Sequence, residues 1–594
     1  MKEEWFKHPT NLVDLFEDSV EKFEKQPWIG EQNEDREYEW ITYGEAAERV
    51  DNLRGGLAQI GIGKDDPVGL IIDNSIEWAI IAFATYGRAA RLVPMYEKEL
   101  EKVWRYIVED SGIKVLFVVN NDVYEQVKHY KDDIDTLEEI YIIRGEGDKT
   151  MAGLEELGSK NPVPSEKPHW SDIAGLIYTS GTTGDPKGVL LSHGNFTSNV
   201  QAAHAVFDDT DEDDSSFGIL PWAHSFGQTG ELYHATYFGG SIGLMDTTDT
   251  LTEDIAKVEP TLLVAVPRIF NKVYAGIHRK LEEEGKLHLL ELAKETAAKK
   301  RNGEKVGIKD KLVTWIVFRK IQKLFGGNLR YAITGSAVMN PEIAQFFIDV
   351  GIPTFDCYGL TETTPALTMN GPGESKLGTV GKPIRDVTVV IDKSRVGEDS
   401  EDGEIICYGP NVAQGYHNKP KKTAQAFVED EELGRGVRTG DRGRLDEDGF
   451  LHITGRFKEE YKLENGKYVH PASLEEELKL VPYIANVMVY GDGKPYNVGI
   501  LYPDFEFLKK HAEEQGISAK DHKALIDKKE IQDFLVEEAT KQLKGSFGGY
   551  EIPKKWLFID EDFTLENGML TQTMKLKRRN VLKEYGDQLK SLYN

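Results

Sequence analysis

Tyr178-Thr179-Ser180-Gly181-Thr182-Thr183-Gly184-Asp185-Pro186-Lys187-Gly188 lies between the apolar runs Ala174 to Ile177 and Val189 to Leu191. Glycines permit positive φ and close backbone approach, the hydroxyls of Thr179, Ser180, Thr182 and Thr183 donate hydrogen bonds, and Lys187 brings a cation. That composition suits a phosphate-bearing polyanion. No Gly-Lys-Ser/Thr triplet closes the loop, so it is not a Walker A loop and points to another ATP-using architecture. An ordinary turn is the bland reading of the same residues.

Outward from the loop, the chain alternates helical and extended patterns. Thr42-Tyr43-Gly44-Glu45 has the form of a capping box opening a helix through Leu57. Val68 to Ile72, Val115 to Val119, Thr261 to Val266 and Leu329 to Thr334 read as strands, and Ser75 to Tyr86 as a helix apolar on one face. Parallel strands covered by helices follow, giving an α/β fold of layered sheets. After Phe450 the composition turns polar and lysine-rich. The strand-like runs Val487 to Tyr490 and Val498 to Tyr502 are separated by Gly491-Asp492-Gly493, so a smaller α/β domain begins near Gly455. The expected domains are 1–455 and 456–594; at 594 residues the chain exceeds what one core usually supports.

A net charge of −29 argues against nucleic-acid binding, leaving room only for local basic patches. Cys357 and Cys407, the only cysteines, support neither a disulfide framework nor a thiolate metal cage, and a reducing cytoplasm fits them. Cys357 reads as a packed core thiol. No signal-peptide pattern opens the chain and no run of 18 apolar residues is present. The acidic run Asp208 to Asp214 lacks the glycine and terminal glutamate of an EF-hand and reads as a solvated loop. Between Ala275 and Phe325, Trp315-Ile316-Val317-Phe318 is flanked by Lys311, Arg319 and Lys320. Two readings stand: helices packed on their own domain, or a peripheral contact with a membrane surface.

Further motifs should meet the loop in space. Tyr358-Gly359-Leu360-Thr361-Glu362-Thr363 follows an apolar run and combines an aromatic ring that can stack on a purine, a glycine for close approach and a carboxylate for a divalent cation. Gly335-Ser336-Ala337 presents small residues where a flat base could slide against backbone, and Arg438-Thr439-Gly440-Asp441 offers a carboxylate to ribose hydroxyls. Tight helix packing and a plain turn are the bland readings of these two.

The order of Thr179 to Gly188, Gly335 to Ala337, Tyr358 to Thr363, Arg438 to Asp441, Gly455 to Lys458 and Leu570 to Arg578 resembles the adenylate-forming superfamily over nearly the whole chain. Tyr461 to Val469, Glu566 to Thr571 and Val266-Pro267-Arg268-Ile269-Phe270 look most like its long-chain fatty acyl-CoA synthetases. The resemblance implies a large N-terminal domain with a smaller mobile C-terminal one, and a two-step reaction. A fatty carboxylate and ATP give acyl-adenylate and pyrophosphate, then coenzyme A takes the acyl group and AMP leaves. It implies Mg2+ held by Thr179 and Glu362, with Lys575, Glu362 and Thr179 as the catalytic set. The nucleotide-binding residues it implies are Thr179, Ser180, Gly181, Thr182, Thr183, Gly184, Lys187, Gly335, Ser336, Ala337, Asp356, Tyr358, Gly359, Thr361, Asp441, Arg456, Lys458 and Lys462. Lys458 would be the hinge, and Gly466 would belong to the face that closes for coenzyme A.

Lysine is a compact mobile charge suited to joining two anions, but Lys575 would block an incoming thiol and must leave after the first step. Trp222, His224 and Phe226 fall where the family places its acyl wall, or else form a core aromatic cluster. A base is not needed there, because a carboxylate is already ionised at neutral pH. Glu459-Glu460 after Lys458 and Arg442 after Asp441 depart from the wider pattern without removing a required charge. Transfer to a carrier protein, a ligase for aryl or short-chain acids, and a noncatalytic nucleotide-binding scaffold are the alternatives.

Overall fold

The computed structural model describes residues 2–179, 186–337, 339–397, 399–457, 459–571 and 575–593. Two large sheets carry the N-terminal region. One has seven strands in the order Gly415–Tyr416, Lys187–Ser192, Ile173–Thr179, Arg91–Met95, Pro67–Ile71, Val115–Val118, Glu139–Ile142. The other has nine, with Leu262–Ala265 and Tyr331–Thr334 parallel and in register at its centre and antiparallel strands at both ends. Central strands such as Leu262–Ala265 are buried along their whole length, which is why they read as continuous apolar runs rather than alternating ones.

Helix starts follow the local chemistry. Thr42 caps Tyr43–Gln59 with a reciprocal box: its hydroxyl accepts from the Glu45 amide at 3.2 Å while the Glu45 carboxylate accepts from the Thr42 amide at 2.9 Å. Ser75 caps Ile76–Tyr86 by accepting from the Trp78 amide at 3.1 Å. This second helix is buried on every side from Trp78 to Tyr86, not on one face as its pattern suggests. It packs on Arg91–Met95 of one sheet and Pro27–Gln32 of the other, so no side of it meets water. The acidic run also departs from expectation. Asp214 is buried, and Arg330 holds both Asp209 and Asp214 at 2.6 and 2.8 Å, while Asp211, Glu212 and Asp213 are exposed. Both cysteines are buried thiols, pushed up to about 12 by burial.

A third sheet pairs Thr388–Asp392, Gly403–Tyr408, Gly434–Leu445, Phe427–Asp430 and Leu451–Arg456. Beyond Arg456 the chain builds a smaller α/β body. Its sheet joins Ile484–Tyr490, Val498–Pro503 and Lys555–Phe558, with a core of its own around Leu474, Leu501, Leu508 and Leu535. The architecture is α/β, with a large N-terminal and a smaller C-terminal domain. Among the described residues no helix is long and apolar enough to cross a membrane.

Candidate active site

The two arms of the opening loop, Ile173–Thr179 and Lys187–Ser192, pair antiparallel with Thr179 opposite Lys187 and Tyr178 opposite Gly188. Ser180, Gly181, Thr182, Thr183 and Gly184 lie outside the described residues, as does Lys458. Thr179 and Lys187 both line a cleft of about 890 Å³. Gly188 is needed for packing: a Cβ there would come within 2.9 Å of the Tyr178 ring. Lys187 lies over the Tyr416 ring, 4.5 Å from its centre, and the Tyr416 hydroxyl donates to Glu362 at 2.7 Å. The cation and the carboxylate are thus held on one tyrosine.

The opposite wall grows from parallel strands Tyr331–Thr334 and Thr354–Gly359, which run in register with Thr334 beside Asp356. Gly335, at the end of the first, leaves no space for a side chain, since a Cβ would meet Cys357 Sγ and Phe226 at 3.0 Å. Ser336 follows with φ of 71°. Gly359 is stricter: a Cβ would land 1.8 Å from the Pro365 carbonyl. That close turn brings Tyr358, Thr361 and Glu362 to the same cleft.

Asp441 and Arg456 are direct cross-strand partners, and the Arg456 Nε donates to Asp441 Oδ1 at 2.7 Å. Tyr358 donates its hydroxyl to the other carboxylate oxygen at 2.5 Å. Burial raises the Asp441 carboxyl above its usual range, opposed by Arg456, Tyr358 and Lys575. Lys575 enters from the smaller domain and is tied to Thr571 by two bonds: the Lys575 amide donates to Thr571 Oγ1 at 3.0 Å, and the Thr571 amide to the Lys575 carbonyl at 2.8 Å. Its side chain is open to solvent within the cleft but ringed by protein. Crowding by the surrounding protein, which thins its hydration, and then Arg456, hold its ammonium below the ordinary lysine range, while Asp441, Glu459 and Glu362 pull it back up.

The profile of the AMP-binding enzyme family matches residues 16–417. The chain belongs to the AMP-binding enzymes. Among its relatives are the mouse long-chain-fatty-acid–CoA ligase 5, 31% identical with 99% of this chain and 89% of that one covered, and the long chain acyl-CoA synthetase 8 of Arabidopsis thaliana, 29% identical with 94% and 82% covered. The long-chain-fatty-acid–CoA ligase FadD15 of Mycobacterium tuberculosis is 30% identical, with 93% and 92% covered. Among solved structures, the adenylation domain of a Mycobacterium chelonae carboxylate reductase superposes with a TM-score of 0.79 at 21% identity, covering 99% of this chain and 92% of that one. That likeness concerns the fold.

Not every residue carried over from the AMP-binding pattern reaches the cleft. His224 and Phe226 line it, but Trp222 does not. Trp222 is fully buried, edge-on to Trp78, and donates its indole N–H to Glu231 at 2.8 Å. It belongs to the aromatic core, because an indole with a buried acceptor gains nothing from turning toward a cleft. Asp356 stands behind the wall, bonded to the Thr334 hydroxyl, with its carboxyl pushed up to about 6 by burial. Lys462 lies over the Tyr468 ring at 4.9 Å, Gly466 forms a turn with φ of 84°, and Ala337 is exposed; none of the three lines the cleft.

Sequence reasoning missed other residues that do line it. Tyr416, Glu404 and Arg438 form part of the wall, the last donating to Glu404 at 2.8 Å and to Asp392 at 2.7 Å. Arg438 stood in a quoted motif, yet its partner is distant in sequence and only strand pairing brings the two together. Behind Phe226 and Cys357 a second cavity of about 30 Å³ reaches into the apolar interior toward Val264, Ile333 and Met369. Burial pushes the His224 imidazole down to about 4, with Lys575 adding to the shift, so this ring is neutral at physiological pH.

Proposed function

We propose that this protein activates a fatty acid with ATP and passes it to coenzyme A. In the first step a carboxylate oxygen bonds to the α-phosphorus of ATP and the bond to the β-phosphate oxygen breaks, releasing pyrophosphate. In the second, the sulfur of coenzyme A bonds to the acyl carbon, AMP leaves, and the thiol proton passes to solvent. The observation that carries this reading is the convergence of Lys187, Glu362, Asp441 and Lys575 on one cleft from four separate stretches of chain. Two anions must meet there, and cations fixed in a partly dehydrated site lower the cost of their approach.

In this reading Tyr358 packs against adenine, while Asp441, oriented by Arg456, accepts from the ribose hydroxyls. Lys187 and the loop before it hold the β- and γ-phosphates, and Lys575 bridges carboxylate and α-phosphate. Thr179 and Glu362 offer hard oxygen donors from facing walls of the same cleft, donor types that fit Mg2+. When bound, the ion supplies charge neutralisation to the polyphosphate. His224 as a neutral ring and Phe226 form the acyl entrance, and the small cavity behind Phe226 is lined by apolar side chains such as Val264, Ile333 and Met369. We place the domain boundary at 455/456 and the hinge at Lys458, between the strand ending at Arg456 and the one starting at Tyr461. Rotation there would withdraw Lys575 before the thiol enters. A peripheral position at a lipid surface fits a substrate that partitions into bilayers.

ATP–pyrophosphate exchange across a series of acids, followed by coenzyme A-dependent AMP release, tests the reading. Exchange that rises with long-chain acids, with AMP release requiring coenzyme A, is the expected result. Absence of acid-dependent exchange across the panel would overturn it.

A further inference from the structure

The helix Ile308–Gln322 is apolar on two opposite faces. With about 100° of turn per residue, Val317, Phe318 and Ile321 fall on one side and Ile308, Leu312, Trp315 and Ile316 on the other. The first three are buried against the rest of the protein; the other four are 86, 57, 59 and 43% exposed. Their spacing of four, three and one makes a continuous stripe. Among the described residues, the other exposed large apolar side chains stand singly along the chain. An apolar stripe of this length facing water needs an occupant.

Charge distinguishes the same surface. The whole chain carries −29, yet between Lys299 and Lys323 nine lysines and arginines stand against Glu304 and Asp310 alone. Lys309 and Lys311 project on opposite flanks of the stripe, and the Arg319 guanidinium lies 5.8 Å from the Trp315 ring. Acids from neighbouring elements temper only part of this: Asp349 pairs with Arg301, and Glu284 lies near Lys320 while bonded to Lys286. A narrow apolar ridge, a tryptophan at its middle and long basic side chains on both flanks match a headgroup layer, where the chains enter the acyl boundary and the amines reach phosphates.

We propose that this helix face docks on bilayers that bear anionic phospholipids. Attachment is peripheral, since the helix has its inner face committed to the protein core and rests on the surface rather than crossing it. The local positive charge overcomes the repulsion that a chain of −29 would otherwise meet at an anionic membrane.

Co-sedimentation of the full chain with phosphatidylcholine vesicles, with and without phosphatidylglycerol, tests this in the absence of acid, ATP and coenzyme A, so the result is independent of the catalytic reading. Retention by the anionic vesicles, weak retention by neutral ones and release by salt are expected. Leu312→Ser with Trp315→Ser, and separately Lys309→Glu with Lys311→Glu, should each lower partitioning at least tenfold while thermal melts stay unchanged. Trp315→Phe should keep binding but lose fluorescence quenching by brominated lipid. Failure of the wild type to bind either vesicle, binding by the variants equal to wild type, quenching unaffected by Trp315→Phe, or a dimer that the stripe variants dissolve would each overturn the proposal.

Discussion

In the proposed mechanism, Lys575 is the residue on which the two half-reactions divide. Lys575→Ala should lower acid-dependent ATP–pyrophosphate exchange by about a hundredfold or more, the scale of a lost charge stabiliser, while transfer from supplied acyl-adenylate to coenzyme A is largely spared. Equal losses in both assays would sink that division. Its lowered pKa sets a sign: Lys575 is a cation below that value and neutral above it. The kcat/KM of the adenylation step should therefore fall as pH rises, beginning below the region near 10.4 where an unperturbed lysine titrates. In Lys575→Arg, which stays charged, the alkaline limb should vanish even if the rate is low; a limb that persists assigns it to another group. Tyr358→Phe removes the 2.5 Å bond to Asp441 and should weaken ATP binding about ten- to a hundredfold, from the 1.5–3 kcal/mol of a charge-assisted hydrogen bond, measured by calorimetry. These roles attach to side chains that stood in quoted motifs. Tyr416, which holds Glu362 and Lys187 together, stood in none, because nothing in its neighbours announces a partner distant in the chain.

At the scale of elements, local rules went far and then stopped. The capping box at Thr42 and Glu45 was legible from four residues because both partners lie within one turn. Thr42→Ala should cost about 1 kcal/mol of stability, read from denaturant midpoints. The strand-end glycine Gly359 was legible as a place of close approach, but the reason is the carbonyl of Pro365, just before the returning strand Ala366–Met369. Gly359→Ala must displace that backbone, so it should cost about 1–3 kcal/mol by overpacking and also abolish ATP-induced thermal stabilisation; a variant as stable as wild type would remove steric need as the cause. Trp222 shows the limit from the other side. Its motif neighbours His224 and Phe226 reach the cleft, yet the short helical turn at Ser225–Gly227 and the buried acceptor Glu231 turn Trp222 inward. A one-dimensional pattern cannot say which of three aromatic neighbours faces the cavity.

At the scale of the molecule, the smaller domain presents Lys575 to a cleft most of whose lining belongs to the large one. If release of Lys575 proceeds by the proposed rotation, Lys458→Pro, which restricts φ at the proposed hinge, should leave pyrophosphate exchange within about threefold but slow acyl transfer about tenfold or more, the behaviour expected when a domain motion limits one step. Single-turnover measurement of each half-reaction would decide it, and equal slowing of both would argue against a hinge at this position. The chain by itself determined the α/β class, the division near residue 455 as an expectation, the order of motifs and the chemistry their residue types can perform, since these depend on local periodicity, capping and charge. Only the tertiary structure decided that Lys187, Glu362, Asp441 and Lys575 share one cavity, that Trp222 and Asp356 stand behind its wall, and that one face of Ile308–Gln322 is left to water. Burial and the meeting of distant segments are set by how whole sheets and helices pack, which no window of sequence contains.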